Sequence, residues 1–481
     1  MSNQRDQWSS SLGFVLAAAG SAVGLGNLWK FPYITWDNQG GGFVLVYLAC
    51  ILLVGMPVMM AEIVIGRFTQ ESPVPAFEKA AKSLPLEKFW PIVGWLGVIS
   101  GLVILSFYAV VAGWSISSFY YCLKWTFSGY SPDDLKFGDF VGNGPLQLGL
   151  TLAFSTITAF IVTRGIAGGI EKATKVLMPV LLSILVLLTL NSFTLDGAGK
   201  AIAFIFTPSP MKHAEQGILE ALGHAFFTLS LGMGAMITYG SYMGKKESIV
   251  KASVAIVLLD TVIALMASFI MFTILFSFPS VIENMGKSTA GMLFVTLPAM
   301  FYTEMPFGNI IAPIFYILVG FAALSSTISL LEVVVSLFID KMKWSRLKAT
   351  GTAAGTIFLF SILCALSNGG SEWLTNFKLF GQADSGFFYT LNKMFFADKA
   401  GFMNAFDHLS ANWLLPVGGF FITLFVGWVF PAKSTAAELG MLDASGNPTN
   451  AFKAIQFSLR FIAPLAIGYI ILKIFLGADF T

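Results

Sequence analysis

Charge is scarce in this chain. Asp, Glu, Lys and Arg together make up 11% of its 481 residues, less than half the roughly 25% usual in a soluble domain. A water-soluble globule of this length is thereby excluded, and a net charge of +2 leaves no footprint for nucleic acid. Histidine is nearly missing: His213, His224 and His408 stand far apart, and no nucleophile is placed beside a base. A membrane enzyme, which would need clustered histidines and carboxylates, is disfavoured on that ground. Cys50, Cys122 and Cys364 are odd in number and outside metal-ligand spacing, so they read as small apolar packing residues. The first apolar run lacks the basic start and the cleavage pattern of a leader peptide and is expected to remain in the mature chain. Short tails and loops leave no output domain for a sensor.

What is abundant is apolar sequence, 56% of residues with a mean hydropathy of +0.78. At about 20 apolar residues per crossing, eleven spans are expected: 11–36, 41–68, 89–124, 146–163, 172–192, 217–242, 250–279, 309–339, 348–366, 404–430 and 454–476. Lys and Arg favour the side of the N-terminus by about two to one, which places that end in the cytoplasm and the C-terminus outside. The longest polar segments, 193–216, 280–308 and 367–403, all fall outside and mix Phe, Leu and Met with polar residues. They are expected to pack back on the bundle as an outer lid.

The first span is interrupted. Gly20-Ser-Ala-Val-Gly-Leu-Gly-Asn-Leu-Trp-Lys-Phe-Pro32 carries three glycines, an asparagine, a lysine and a proline inside a run long enough to cross a bilayer. Backbone freed by such a break is tolerated only where it faces protein or a polar cavity. A cation such as Lys30, costing about 3 kcal/mol at membrane depth, marks a pathway or a paired gate. The sixth span repeats the pattern in Phe226-Phe-Thr-Leu-Ser-Leu-Gly-Met-Gly-Ala235, where Gly232 and Gly234 break the helix beside Thr228 and Ser230. Interrupted spans at matching positions of two halves point to an inverted repeat with a binding site near the midplane. The expectation is one all-α transmembrane transporter domain over 1–481. Spans 1–5 (about 11–192) and 6–10 (about 217–430) would form a 5+5 repeat, with an added span at about 454–476.

The runs GSAVGLGNLWKFPY, NQGGGFVLVY, FFTLSLGMG and FAALSSTISLLE closely resemble the neurotransmitter:sodium symporter family, in particular its bacterial amino-acid transporters. The resemblance covers the chain from Arg5 through the eleventh span. It implies sodium-coupled symport of neutral hydrophobic L-amino acids, aliphatic and aromatic, into the cell by alternating access.

Carried over residue by residue, the resemblance implies that the amides of Leu25 and Gly26 and the hydroxyl of Tyr108 hold a substrate carboxylate. Ile104, Phe227, Met233 and Leu330 would wall an apolar pocket, with Ala22, Thr228, Ser230 and Ser326 beside it. Monoamine-carrying relatives place an aspartate where this chain has Gly24, so its substrate is expected to bring its own carboxylate. A first sodium site would use the Ala22 carbonyl, Asn27, Thr228 and Asp260. A second would use the Gly20 and Val23 carbonyls with Ala322, Ser325 and Ser326. Helical spacing independently puts residues 322, 325, 326, 329 and 330 on one face, although a hydroxyl stripe also serves as glue between helices.

Departures from the family's pattern carry their own expectations. Asp260 stands where an asparagine is usual, His224 replaces a glutamine near Tyr47, and Ala264 removes a hydroxyl. An ionised Asp260 would supply negative charge itself, so two sodium ions and no chloride are expected; an Asp260 that takes up a proton when empty would give proton antiport instead. His224 reads either as a satisfied core histidine or as a titrating group. Lys30 and Asp407 are expected to close the outer side, with lysine in place of the usual arginine. Arg5 with Asp340, and Trp8 with Ser241 and Tyr242, would latch the inner one. Gly169 and Pro179 mark either a kink or a point of unwinding in span 5, and Glu62 and Glu332 need partners at their depth. A proton-coupled or uniporting relative on the same architecture is the alternative. The short tails and the absence of a glycosylation sequon in the outer loops suggest a prokaryotic plasma membrane, and a monomer or loose dimer is expected.

Overall fold

Apolar stretches of this length cannot leave backbone polar groups unpaired in lipid, so helix is the conformation open to them. The computed structural model describes residues 6–131, 134, 136–211, 213–278, 291–382 and 385–478, and their regular structure is helix apart from one isolated bridge between Leu442 and Pro448. Among the described residues, nine continuous helices are long and apolar enough to cross a membrane: Gly41–Thr69, Pro91–Ser128, Gly144–Thr163, Ile166–Ser192, Ile249–Ser277, Gly308–Met342, Arg346–Leu366, Phe402–Val429 and Asn450–Phe475. Each matches a predicted span to within a few residues, except that span 5 begins six residues early, on a π-helical turn at Ile166–Glu171.

The predicted breaks are present. Span 1 is two helices, Ser11–Ala22 and Gly26–Asp37, bent by 53° at their junction. Span 6 is Ala214–Thr228 and Ala235–Ser241, with residues 229–234 unwound between them. By length and apolarity alone the count is therefore nine, or ten with the bent pair, among the described residues. The sixth predicted span escapes that count because each of its pieces is too short.

Burial sorts the helices. The apolar window of Pro91–Ser128 is 83% buried and that of Gly308–Met342 is 72% buried, against 28% for Gly144–Thr163. Spans 3 and 8 therefore lie inside, beside the broken helices, while spans such as the fourth turn Leu152, Ile157 and Phe160 outward to lipid. Among the described residues, each of the three long polar segments carries a short helix, Ala198–Phe206, Leu297–Thr303 and Gly386–Phe396, and these pack on spans 7, 8 and 10 respectively.

Candidate functional site

The break in span 1 exposes the groups that the sequence demands there. Ala22 ends the first half-helix and Val23 turns to extended backbone. The amides of Gly24 and Leu25, which would have closed the helix onto the Gly20 and Ser21 carbonyls, turn elsewhere. Gly24 donates to Asn27 Oδ1 at 3.2 Å and Leu25 to the Tyr108 hydroxyl at 3.1 Å. Carbonyls at the end of a half-helix and amides at the start of the next, released from the helical ladder, suit a cation and an anion. The break in span 6 is pinned to it: Ser230, at a φ of +54°, donates to the Ser21 carbonyl at 2.8 Å. That left-handed backbone costs energy for a residue other than glycine, and the bond to Ser21 helps to hold it.

Between the breaks lies an inner pocket lined by Ala22, Gly24, Gly26, Asn27, Ile104, Tyr108, Phe227, Thr228, Ser230, Met233, Ser326 and Leu330. Eleven of the twelve residues expected to bind substrate are in this lining. Leu25 is the exception: it lines the outer cavity, and the oxygen of Tyr108 takes its amide. Tyr108, itself acting there as an acceptor, keeps its own proton to donate. Ser21 and Ser329 also line the pocket and were not singled out as substrate contacts, though the helical spacing of span 8 already placed position 329 on the right face. A Cβ on Gly24 would come within 2.8 Å of Ser326 Oγ and 3.0 Å of the Tyr108 hydroxyl, so no larger side chain fits there without displacement.

At one corner, hard oxygen groups converge. Asp260 is fully buried; its Oδ1 accepts from Asn27 Nδ2 at 2.7 Å and from Thr228 Oγ1 at 2.8 Å, and its Oδ2 from the Tyr47 hydroxyl at 3.4 Å. Thr228 Oγ1 also lies 3.1 Å from Asn27 Oδ1. Such oxygen donors suit a hard cation, and a buried carboxylate needs compensation of that kind. His224 stacks on Phe31 at 5.5 Å and 24° and lies 5.6 Å from the Tyr47 ring, buried, yet neither of its ring nitrogens has a hydrogen-bond partner among the described residues. The reading of a satisfied core histidine is thus corrected. On the other side of span 1, Gly20 lies against Ser325 and Met178, and Ser325 Oγ donates to the Ala322 carbonyl at 3.0 Å. This brings the residues expected at the second sodium site beside the freed carbonyls.

Gly26, Tyr108 and Phe227 line both this pocket and an outer cavity of about 330 Å³, so they form the partition between the two. Lys30 and Asp407 line the outer cavity, and Lys30 Nζ stands 5.6 Å from the centroid of the Phe227 ring. The two residues expected to close this side thus share one cavity, and Lys30 covers the partition ring.

The end of the bundle expected to face the cytoplasm is held shut by the Trp8 segment. Trp8 is buried, its Nε1 donating to the Tyr239 carbonyl at 3.0 Å and its amide to the Tyr242 carbonyl at 3.2 Å. Ser241 Oγ donates to the Thr238 carbonyl at 2.6 Å, and the contacts of Trp8 run through backbone acceptors, which side-chain identities do not reveal. Arg5 lies outside the described residues; Asp340 accepts from the Ser72 amide at 2.7 Å. Glu332 is fully buried and takes both arms of Arg346 at 2.9 Å, together with the Tyr242 hydroxyl at 2.7 Å. Glu62 accepts the Gly232 amide at 2.7 Å and so supports the span 6 break.

The comparisons agree with this geometry. The chain matches the profile described as "Sodium:neurotransmitter symporter family" over residues 5–131 and 135–398. It is 35% identical to the uncharacterized sodium-dependent transporter YhdH of Bacillus subtilis, over 98% of this chain and 99% of that one. The uncharacterized sodium-dependent transporter MJ1319 of Methanocaldococcus jannaschii is 33% identical over 92% of this chain and 85% of its own. Among solved structures, that of MhsT in complex with L-phenylalanine matches with a TM-score of 0.81 at 38% identity, covering 98% of this chain and 100% of that one. With two broken helices facing each other across a buried oxygen-lined corner, and with matches of this extent, the chain belongs to the sodium:neurotransmitter symporter family of multi-pass membrane transporters.

Proposed function

We propose that this transporter carries neutral hydrophobic L-amino acids, aliphatic and aromatic, into the cell with two sodium ions and without chloride. The observation that carries the reading is the Asn27–Thr228–Asp260 corner beside the Tyr108 hydroxyl. A cation held by the first three lies next to a carboxylate held by the fourth, so each stabilises the other and neither binds well alone. Asp260 offers a fixed negative charge to the cation, which removes the need for a chloride. The second ion uses the Gly20 and Val23 carbonyls with Ala322, Ser325 and Ser326. Ile104, Met233 and Leu330 suit an apolar side chain, and the L-phenylalanine bound in the related MhsT structure is consistent with that.

The inner pocket holds only about 30 Å³ of open volume, well below the roughly 300 Å³ at the low end for ligand pockets. Binding therefore moves its walls, and the unbranched, three-torsion side chain of Met233 is suited to yield to substrates of different size. Alternating access follows: Phe227 and Tyr108 close over the substrate, then the Trp8 latch opens. Two charges crossing 100 mV supply about 4.6 kcal/mol. The working unit is a monomer or loose dimer in a prokaryotic plasma membrane, with its N-terminus in the cytoplasm, its C-terminus outside, and two inverted five-span repeats.

The test is binding of labelled L-leucine and L-tryptophan to the purified protein in sodium or potassium medium, with chloride exchanged for gluconate. Saturable binding that needs sodium and ignores chloride is the expected result. Binding indifferent to sodium would overturn the reading and favour the proton-coupled or uniporting alternative.

A further inference from the structure

The inner pocket is apolar on its Ile104, Met233 and Leu330 walls, but three hydroxyls come together at one place in its lining. Ser21 Oγ lies 2.8 Å from Ser329 Oγ and 3.1 Å from Ser230 Oγ, as a donor to either. Ser230 gives its own proton to the Ser21 carbonyl at 2.8 Å, and Ser329 gives its proton to the Ser326 carbonyl at 2.8 Å. Each hydroxyl has one proton and two acceptor lone pairs. All three protons are therefore spent inside the protein, while most of the lone pairs, including both on Ser21, receive no bond among the described residues. Towards a ligand the cluster can accept hydrogen bonds and cannot donate them without breaking its own.

Its depth indicates which part of a substrate meets it. Helix 308–342 descends from the outer side, and Ser329 lies one helical turn, about 5.4 Å, beyond Ser325. Ser21 likewise precedes Leu25, in the last turn of the half-helix before the break, in the opposite-running first span. The cluster is thus a turn deeper than the Leu25–Tyr108 pair that faces a carboxylate, at the level reached by a side chain extending past its β-carbon and among the apolar wall residues.

We infer that the Ser21–Ser329 pair makes the pocket selective, among large apolar amino acids, for side chains carrying a hydrogen-bond donor, namely the indole of tryptophan and the phenol of tyrosine. The inference rests on the amino-acid reading above. A donor entering here fills an open lone pair, whereas a purely hydrocarbon ring leaves the oxygens stripped of water and unpaired. A side chain offering only acceptors meets oxygen against oxygen.

The experiment compares ligands of one shape. Equilibrium binding in sodium medium is measured for tryptophan and for its benzothiophene analogue, in which sulfur replaces the indole N–H. Tyrosine is compared with 4-fluorophenylalanine in the same way. Wild-type protein is expected to bind the donor-bearing member of each pair about threefold to tenfold more tightly, the range of one net hydrogen bond. In Ser329→Ala the ratios should fall towards one, and Ser329→Thr, which keeps the hydroxyl, should restore them. Because ratios are read within one protein, a general loss of affinity does not obscure the result. Wild-type ratios near one, with all four ligands bound in a sodium-dependent way, would overturn this inference and leave the amino-acid reading standing. No binding of any of the four would overturn both.

Discussion

Asn27 and Asp260, 233 residues apart, meet twice: Asn27 Nδ2 lies 2.7 Å from the Asp260 carboxylate and 3.3 Å from its backbone carbonyl. The contact ties the second half of broken span 1 to span 7 and holds the Asp260 side chain at a fully buried point. Asp260→Asn keeps the shape and removes the charge. The half-saturating sodium concentration should then rise at least tenfold, equivalent to about 1.4 kcal/mol, and chloride should begin to stimulate binding. Sodium titrations in chloride and in gluconate test both points; an unchanged midpoint with no chloride effect would show that Asp260 does not supply the charge.

Tyr108 accepts the Leu25 amide at 3.1 Å and lines both cavities. Tyr108→Phe removes that acceptor and the proton offered to a carboxylate. Hydrogen bonds to charged groups contribute about 1.5–3 kcal/mol, so substrate affinity should fall roughly tenfold to a hundredfold. Tyr47→Phe, which breaks a 3.4 Å contact to Asp260, should cost much less. Equal losses in the two variants would contradict the assignment of the carboxylate to Tyr108.

The architecture was legible because membrane spans are set by length and apolarity, and the breaks because glycines and a lysine inside an apolar span have few other uses there. The ligand set was legible only through resemblance, since backbone carbonyls carry no side-chain signature. Contacts between distant, ordinary residues stayed hidden for the same reason: Trp8 closes on the Tyr239 and Tyr242 carbonyls, and nothing about Ser21 or Glu171 marks its partner. The rank of Ser329 was half visible, since spacing gave its face but not its role in the pocket.

Glu171 is one of these hidden contacts. Its buried carboxylate accepts the Ser9 amide at 2.7 Å, the Ser9 hydroxyl at 2.5 Å and the Ser10 hydroxyl at 3.1 Å, and pairs with Lys175 at 2.7 Å. Gly13 makes this possible, because a Cβ there would lie 2.0 Å from the carboxylate oxygen. Gly13→Ala should therefore expel the carboxylate and loosen the join between the start of span 5 and the Trp8 segment. A loss of about 1–3 kcal/mol is expected from overpacking, read as a lower thermal midpoint of the purified protein in detergent. Glu171→Ala should lower it similarly, and the double variant should cost less than the sum of the two, because both act on one contact. Additive losses would separate Gly13 from Glu171.

Lys30 covers the Phe227 ring at 5.6 Å and shares the outer cavity with Asp407. An ammonium is a single point charge on a flexible stem, whereas a guanidinium presents a rigid fork that matches a carboxylate. Lys30→Arg should therefore grip a carboxylate such as Asp407 more firmly and keep Phe227 closed for longer. Substrate release to the outside should slow by about threefold to tenfold, the scale of one favourable ion pair of about 0.6–1.4 kcal/mol. Lys30→Met keeps the stem but removes the charge that holds the ring, and should speed release. The measurement is the dissociation rate of labelled substrate after dilution into excess unlabelled ligand at constant sodium. If both variants release substrate at the wild-type rate, Phe227 closes without help from Lys30. Opposite shifts would identify the charge at position 30 as what sets the lifetime of the closed outer partition.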